Sequence, residues 1–274
     1  MINRICISIN NRCNLRCKYC HFHEKGYSED IPMDIFEILD HVKSYTNQVF
    51  KIGFVGDGEA FLDYDKLKSY IVYLEDSPNI SAYTITNGTI DLTDVDWDFL
   101  EKHKVNVGFS VDGYRDLHNL NRCNSFDKVM KTVEHYHVIT GHYPTWNATV
   151  GRESLENADK VIEFFKPFAT RVTFSRMIGK QGISLADYRG FVLKAEKSGL
   201  IVRHGDKDCT MYGGQCGAGE NNYFFANGKV YYCGNCVDLR PIADSSVTLE
   251  NLEKISKLNF DRNNCYKEIF IAQQ

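Results

Sequence analysis

The stretch Ile5-Cys6-Ile7-Ser8-Ile9-Asn10-Asn11-Arg12-Cys13-Asn14-Leu15-Arg16-Cys17-Lys18-Tyr19-Cys20 decides how the rest of this chain is read. The apolar run Ile5 to Ile9 predicts a β-strand, and three cysteines at C-x3-C-x2-C spacing follow it at once. A compact thiolate triple just after a strand can place three soft ligands on one face of a small loop. A [4Fe–4S] cluster held that way keeps one iron without a protein ligand. Three such cysteines would also suit half of a zinc site, disulfide partners in a secreted protein, or small buried hydrophobes.

Composition narrows these choices. The chain has 274 residues, enough for one large domain or a main domain with an appendage, and 43 % of them are apolar, so it can bury a proper core. Formal net charge is −4 with no basic block, which points away from a nucleic-acid partner. Met1-Ile2-Asn3-Arg4 runs straight into the first strand, without a signal h-region or a membrane-length apolar run. A cytoplasmic protein with no membrane contact is expected. Ten cysteines in a reducing compartment point to metal binding, and they are clustered: Cys13, Cys17 and Cys20 early, then Cys209, Cys216, Cys233, Cys236 and Cys265 late. Cys6 and Cys123 stand apart, and Cys6 reads as core.

Beyond the cysteine loop, helical and strand patterns alternate. Met33 to Tyr45 carries apolar residues at helical spacing, and Val49 to Val55 is a strand ending in Gly56-Asp57-Gly58-Glu59. Then come a helix (Asp65 to Leu74), a strand (Ala82 to Thr86), a helix (Val95 to His103) and a strand (Val105 to Val111) leading into Asp112-Gly113. A helix (Phe126 to Ile139), a strand (Thr145 to Val150), a helix (Leu155 to Phe165) and a strand (Arg171 to Phe174) complete the series. Six strands, each followed by a helical pattern, predict an α/β fold, a partial (β/α)6 TIM barrel with its chemistry at the C-terminal ends of the strands.

The cysteine spacing, with Tyr19 just before the last Cys, resembles the cluster loop of the radical S-adenosylmethionine (SAM) enzymes. Gly58-Glu59 is similar to that family's G-G-E-P signature, with Asp57 in place of the first Gly and Ala60 in place of the Pro. Thr86-Asn87-Gly88 resembles its third-strand turn. Ser110-Val111-Asp112-Gly113, followed by His118 and Arg122, resembles the S-x-D-G…H-x-x-x-R stretch of its peptide-modifying branch. The likeness covers residues 4 to about 180. It implies that Cys13, Cys17 and Cys20 hold a [4Fe–4S] cluster whose open iron takes SAM. It also implies that Gly58 and Glu59 grip the SAM amino group, that Ser110 and Arg122 meet its carboxylate, that Tyr19 flanks the adenine and that Asn147 approaches the ribose. Thr86 and Asn87 join this cofactor-binding set, although each alone is ordinary turn chemistry.

From about Gly205 the βα alternation stops. Two aromatic, β-rich runs flank Asn227-Gly228, a hairpin signal, with Cys216 and Cys233 at the hairpin's base. Cys216-x11-Gly228-x4-Cys233 resembles the opening of the SPASM/twitch extension, which holds one or two auxiliary [4Fe–4S] clusters, but the cysteine-dense run that follows in SPASM proteins is missing. Five late cysteines can ligate one cluster fully and not two. A barrel over 1–204 and a twitch-like domain over 205–274 are therefore expected, with one auxiliary cluster on Cys209, Cys216, Cys233 and either Cys236 or Cys265. A structural zinc is the alternative for these thiols.

The resemblance implies reductive SAM cleavage and hydrogen abstraction from a substrate C–H bond, with an electron donor such as flavodoxin or ferredoxin. An auxiliary cluster could accept an electron, giving net oxidation, or bind a substrate thiolate. A thiol could instead return a hydrogen, giving epimerisation. Cys123, beside Arg122, and Asp112 are the candidate catalytic residues, and an inert thiol is the plainer reading of Cys123. The substrate class stays open between a ribosomal peptide and an amino sugar or other small molecule. Against the peptide, the barrel is expected to start at residue 4, and no leader-gripping domain is expected before it. An iron–sulfur carrier or sensor would not need Glu59, Ser110 and Arg122.

Overall fold

Alternating burial builds the first strand, β1 (Arg4–Ile7): Ile5 and Ile7 are fully buried in the main core, while Cys6 points to the other face. Five more strands follow in parallel: β2 (Phe50–Phe54), β3 (Ile80–Thr86), β4 (Asn106–Ser110), β5 (Thr145–Val150) and β6 (Val172–Arg176). In this computed structural model the described residues are 1–20, 32–203, 209–220, 222–236, 240–255 and 258–272. The expected domain boundary at 204/205 lies outside them, as does the side chain of Cys236.

The connecting helices are α1 (Ile35–Tyr45), α2 (Tyr64–Tyr73), α3 (Asp94–Lys102), α4 (Arg115–Asn121), α5 (Phe126–Thr140), α6 (Arg152–Glu156), α7 (Ala158–Phe165) and α8 (Leu185–Lys197). Strand order from β6 back to β1 never reverses. Right-handed crossovers therefore set these helices on one face of the sheet and leave the other face concave. The convex core is dense with aromatic and branched residues, Trp97, Trp146, Phe54, Phe109 and Phe165 among the fully buried ones. Each such side chain contributes roughly 1.5–3 kcal/mol on burial. The sheet does not close, so the architecture is an open, partial barrel.

Boundaries differ little from the sequence expectations, with two exceptions. The expected helix Leu155 to Phe165 is two helices, α6 and α7, meeting at Asn157. The Asn157 side chain donates to the Glu153 carbonyl at 3.0 Å, competing with the helix ladder for that acceptor. Helix α4 was not anticipated. It is short, and only Leu117, His118 and Asn121 on its inner side are buried.

After α8, β7 (Asn222–Ala226) and β8 (Lys229–Tyr231) form the expected hairpin, with Asn227 at φ +54° and Gly228 at φ +69°. A short β9 (Ala243–Asp244), α9 (Leu249–Lys254) and α10 (Tyr266–Ala272) follow. β7 pairs in parallel with β1, Cys6 opposite Phe224, so the hairpin extends the barrel sheet itself. Phe224, Ala226 and Tyr231 pack with Cys6 on the concave side. Gly56 makes this possible, because a Cβ there would overlap the Phe224 ring. Among the described residues no helix is long and apolar enough to cross a membrane.

Candidate active site

The C-terminal ends of β1 to β5 bring the early cysteines and the strand-end residues together. The cysteine loop leaves β1 and is tied to the β2 end, where the Glu59 amide donates to the Arg12 carbonyl at 2.8 Å. Gly58 must lack a side chain, since a Cβ would overlap Asn10 Oδ1 and the Arg12 carbonyl. Asn87 links the β3 end to the loop, its Nδ2 donating to Asn14 Oδ1 at 2.9 Å and lying 3.8 Å from Cys13 Sγ.

Glu59 is 2 % exposed and fully engaged on one oxygen. Its Oε1 accepts the Thr86 hydroxyl at 2.8 Å and the Phe61 amide at 3.1 Å, and its Oε2 accepts the Asn87 amide at 2.7 Å. A carboxylate oxygen accepts about two hydrogen bonds, so Oε2 has room for one more donor. Burial pushes the Glu59 carboxyl up, and the Asn87, Thr86 and Phe61 donors together with Arg122 oppose that. A cationic amine placed there would complete the set.

The β4 end carries Ser110, buried and in register with Asn147 of β5, and Gly108 leaves the space that the Asn147 amide occupies. Asp112, 1 % exposed, takes the Tyr19 hydroxyl and, on Oδ1, the Thr149 amide at 3.0 Å. Arg122 Nε stands 3.1 Å from Asp112 Oδ2, and its guanidinium lies 5.4 Å from the Tyr19 ring centroid. The Asp112 charge raises the Arg122 pKa against the pull of burial, so this arginine stays charged. Asp112 thus joins the cysteine loop, β5 and the α4 end by internal contacts.

His118 is fully buried, its Nε2 is 2.9 Å from Ser125 Oγ, and burial with Arg122 nearby lowers its pKa to about 4. Cys123 is exposed, and its thiol is engaged with the backbone of Arg16.

The three loop thiols suit a cationic group. Burial pushes Cys17 up to about 12, where Arg122 lowers it and Cys20, Asp112 and Cys13 add to the rise, and burial raises Cys13 as well. Thiolates here need a positive partner beyond Arg122, and an iron–sulfur cluster supplies one with the right softness.

The late cysteines gather on the open side of the barrel. The turn Thr210–Tyr212 packs on β6, and Arg176 of β6 holds Glu268 of α10 in a two-point ion pair at 2.6 and 3.1 Å. Cys209, Cys216, Cys233 and Cys265 lie within electrostatic reach of one another. Burial pushes Cys209 up to about 12, with Cys233, Cys265 and Cys216 adding to it. Against this, backbone amides of Met211, of Ala218 and Tyr266, and of Glu268 favour the thiolates of Cys209, Cys216 and Cys265 in turn. Such a donor set fits a cluster. Cys6, 3.4 Å from the Tyr83 hydroxyl and also near Cys233, lies on the concave face.

A cleft of about 500 Å³ opens at the opposite ends of β4 to β6 around Lys104, His142 and Arg171. It holds none of these groups.

An open parallel barrel brings a three-thiol loop, a buried carboxylate and a charge-held arginine together at its strand ends. The chain belongs to the Radical SAM superfamily, whose sequence model matches residues 7–183. A cysteine-type anaerobic sulfatase-maturating enzyme of Clostridium novyi is 24 % identical over 176 residues, covering 57 % of this chain and 46 % of that protein. A probable dual-specificity RNA methyltransferase RlmN of Staphylococcus epidermidis is 25 % identical over 157 residues, covering 53 % and 43 %. The radical SAM cyclopropyl synthase TigE of Paramaledivibacter caminithermalis is 22 % identical over 313 aligned positions, covering 96 % and 65 %. This chain therefore spans about half the length of the first two relatives. Among solved structures, anSMEcpe with bound AdoMet superposes with a TM-score of 0.73 at 22 % identity, covering 92 % of this chain and 80 % of that one. Streptococcus suis SuiB bound to its precursor peptide SuiA gives 0.73 at 16 % identity, covering 92 % and 64 %. These two likenesses are of fold.

Proposed function

We propose that this chain modifies a peptide by radical SAM chemistry and uses one auxiliary [4Fe–4S] cluster. The observation that supports this reading is the presence of two thiol sets, Cys13, Cys17 and Cys20 within electrostatic reach of one another in the loop after β1, and Cys209, Cys216, Cys233 and Cys265 likewise in the late segment. Cys13, Cys17 and Cys20 would hold the first cluster, and Cys209, Cys216, Cys233 and Cys265 the second, in an auxiliary domain that starts near residue 205. When loaded, the first cluster supplies an electron that cleaves SAM to a 5′-deoxyadenosyl radical.

The chain's own residues bind and orient. Glu59 Oε2, with one acceptor position left, receives the SAM amino group. Arg122, kept charged by Asp112, offers its terminal nitrogens to the carboxylate, with Ser110 beside it, and Asn147 faces the ribose. Tyr19, held by Asp112 and Arg122, presents a ring edge to the adenine. The barrel wall keeps water from the radical, which has to meet one substrate carbon and nothing else.

Peptide chemistry is favoured because SuiB is bound to a precursor peptide and anSMEcpe has been solved with a peptide. The RNA methyltransferase matches only about half of this chain. An external reductant, such as flavodoxin or ferredoxin, would supply the electron.

Anaerobic reconstitution should give about eight irons per chain. About four irons with bound zinc would remove the auxiliary cluster. Cys17→Ala should abolish 5′-deoxyadenosine formation, and undiminished formation would rule out the mechanism. Reaction in D2O separates the outcomes: one solvent deuterium at otherwise unchanged mass means epimerisation, and loss of two hydrogens means oxidation.

A further inference from the structure

We infer that Cys123 is a positioning residue that clamps the cluster loop. The inference rests on the reading of Cys13, Cys17 and Cys20 as ligands of the first cluster. Cys123 Sγ donates to the Arg16 carbonyl at 2.9 Å and accepts from the Arg16 amide at 3.2 Å. One sulfur thus holds both backbone groups of the residue that precedes Cys17. Two residues on, the Lys18 amide donates to the Asn121 carbonyl at 2.8 Å, so the end of α4 and the turn after it grip the loop on either side of Cys17.

That turn is itself held firmly. The Ser125 hydroxyl donates to the Arg122 carbonyl at 2.7 Å and meets His118 Nε2 at 2.9 Å, and the Arg122 amide donates to the His118 carbonyl at 2.7 Å. This gives the H-x-x-x-R spacing a second purpose: Arg122 stacks on Tyr19, while His118 fixes the turn that presents Cys123.

Backbone conformation argues the same way. Cys123 and Asn124 sit at φ +56° and +54°, in the left-handed region. Asn enters that region readily and Gly at no steric cost, but Cys does so against the repulsion of its Cβ. Local structure alone would favour Gly at 123. The thiol earns its position through the side chain, because the site needs one atom that both donates and accepts.

The loop carries its three thiols outside any helix or strand, so their spacing is set by what grips the backbone. Water could satisfy the Arg16 groups if the sulfur were gone, but it would not hold them in place. Outer contacts of this kind typically change metal retention by about 10- to 100-fold.

The test uses the full chain, anaerobically reconstituted, as wild type, Cys123→Gly and Cys123→Ser. Glycine relieves the backbone strain, so that variant should fold with a melting temperature equal to or above wild type. It should nonetheless lose its SAM-responsive EPR signal to a chelator about ten times faster and show altered g-values. Serine, whose hydroxyl also donates and accepts, should restore most of the wild-type retention and g-values. Equal retention and g-values in Cys123→Gly and wild type overturn the clamp. So does a Cys123→Ser variant that keeps its cluster properties but loses deuterium incorporation into product, which would make the thiol a hydrogen donor. A wild type without any SAM-responsive signal removes the cluster reading and the clamp together.

Discussion

The Tyr19 hydroxyl donates to both oxygens of Asp112, at 2.8 and 3.1 Å, so a side chain of the cysteine loop is bonded to a residue 93 positions away. The same carboxylate balances the buried charge of Arg122. Asp112→Asn keeps the shape and removes the charge, leaving Arg122 buried without compensation. A stability loss of roughly 3 kcal/mol is expected, measured by denaturant unfolding of the cluster-free chain. A change below about 0.5 kcal/mol would mean that solvent already screens this arginine.

Glu59→Gln tests the carboxylate clasp. An amide nitrogen cannot accept, so either the Thr86 and Phe61 donors or the Asn87 amide would face another donor. The KM for SAM should rise by about tenfold or more, about 1.4 kcal/mol, with iron content unchanged. Rates of 5′-deoxyadenosine formation against SAM concentration read this directly, and an unaltered KM would place the SAM amine elsewhere.

The fourth auxiliary ligand can be settled by a pair of variants. Cys265 is 7 % exposed and lies near Cys216 and Cys233. Cys265→Ser should cost the second cluster, leaving about four irons per chain, while Cys236→Ser should leave about eight. The reverse pattern would assign the ligand to Cys236.

His118 gives a pH dependence of stability. Its folded pKa, about 4, lies below the ordinary 6.5. Between those values the unfolded chain takes up a proton that the folded chain refuses. Its contribution is therefore complete above pH 6.5 and falls away as pH drops toward 4, by about 3 kcal/mol in all. Unfolding curves of the cluster-free chain at pH 7 and pH 4.5 should show a steeper loss for wild type than for His118→Gln. Parallel losses would mean that other groups carry the acid sensitivity.

Much of this arrangement is legible along the chain because it is local. Each strand's apolar run, the Asn227-Gly228 turn and the C-x3-C-x2-C loop depend on neighbours a few residues apart, and strand ends follow from where apolar runs stop. Helix α4 escaped notice because seven residues with three buried positions carry too little periodicity. The break at Asn157 escaped because a side chain competing for a helix carbonyl leaves no mark on the apolar pattern.

The cysteine loop and the ordered strand-end residues thus determined the family from sequence alone, and they named the side chains proposed to face SAM. Only the tertiary structure decided what holds them in place: the Tyr19–Asp112–Arg122 linkage, the Cys123 grip on Arg16 and the parallel pairing of β7 with β1. Apart from the Asp112–Arg122 pair, these contacts join residues separated by more than 90 to more than 200 positions. Their partners are set by how the sheet curves and packs, and no local pattern encodes that.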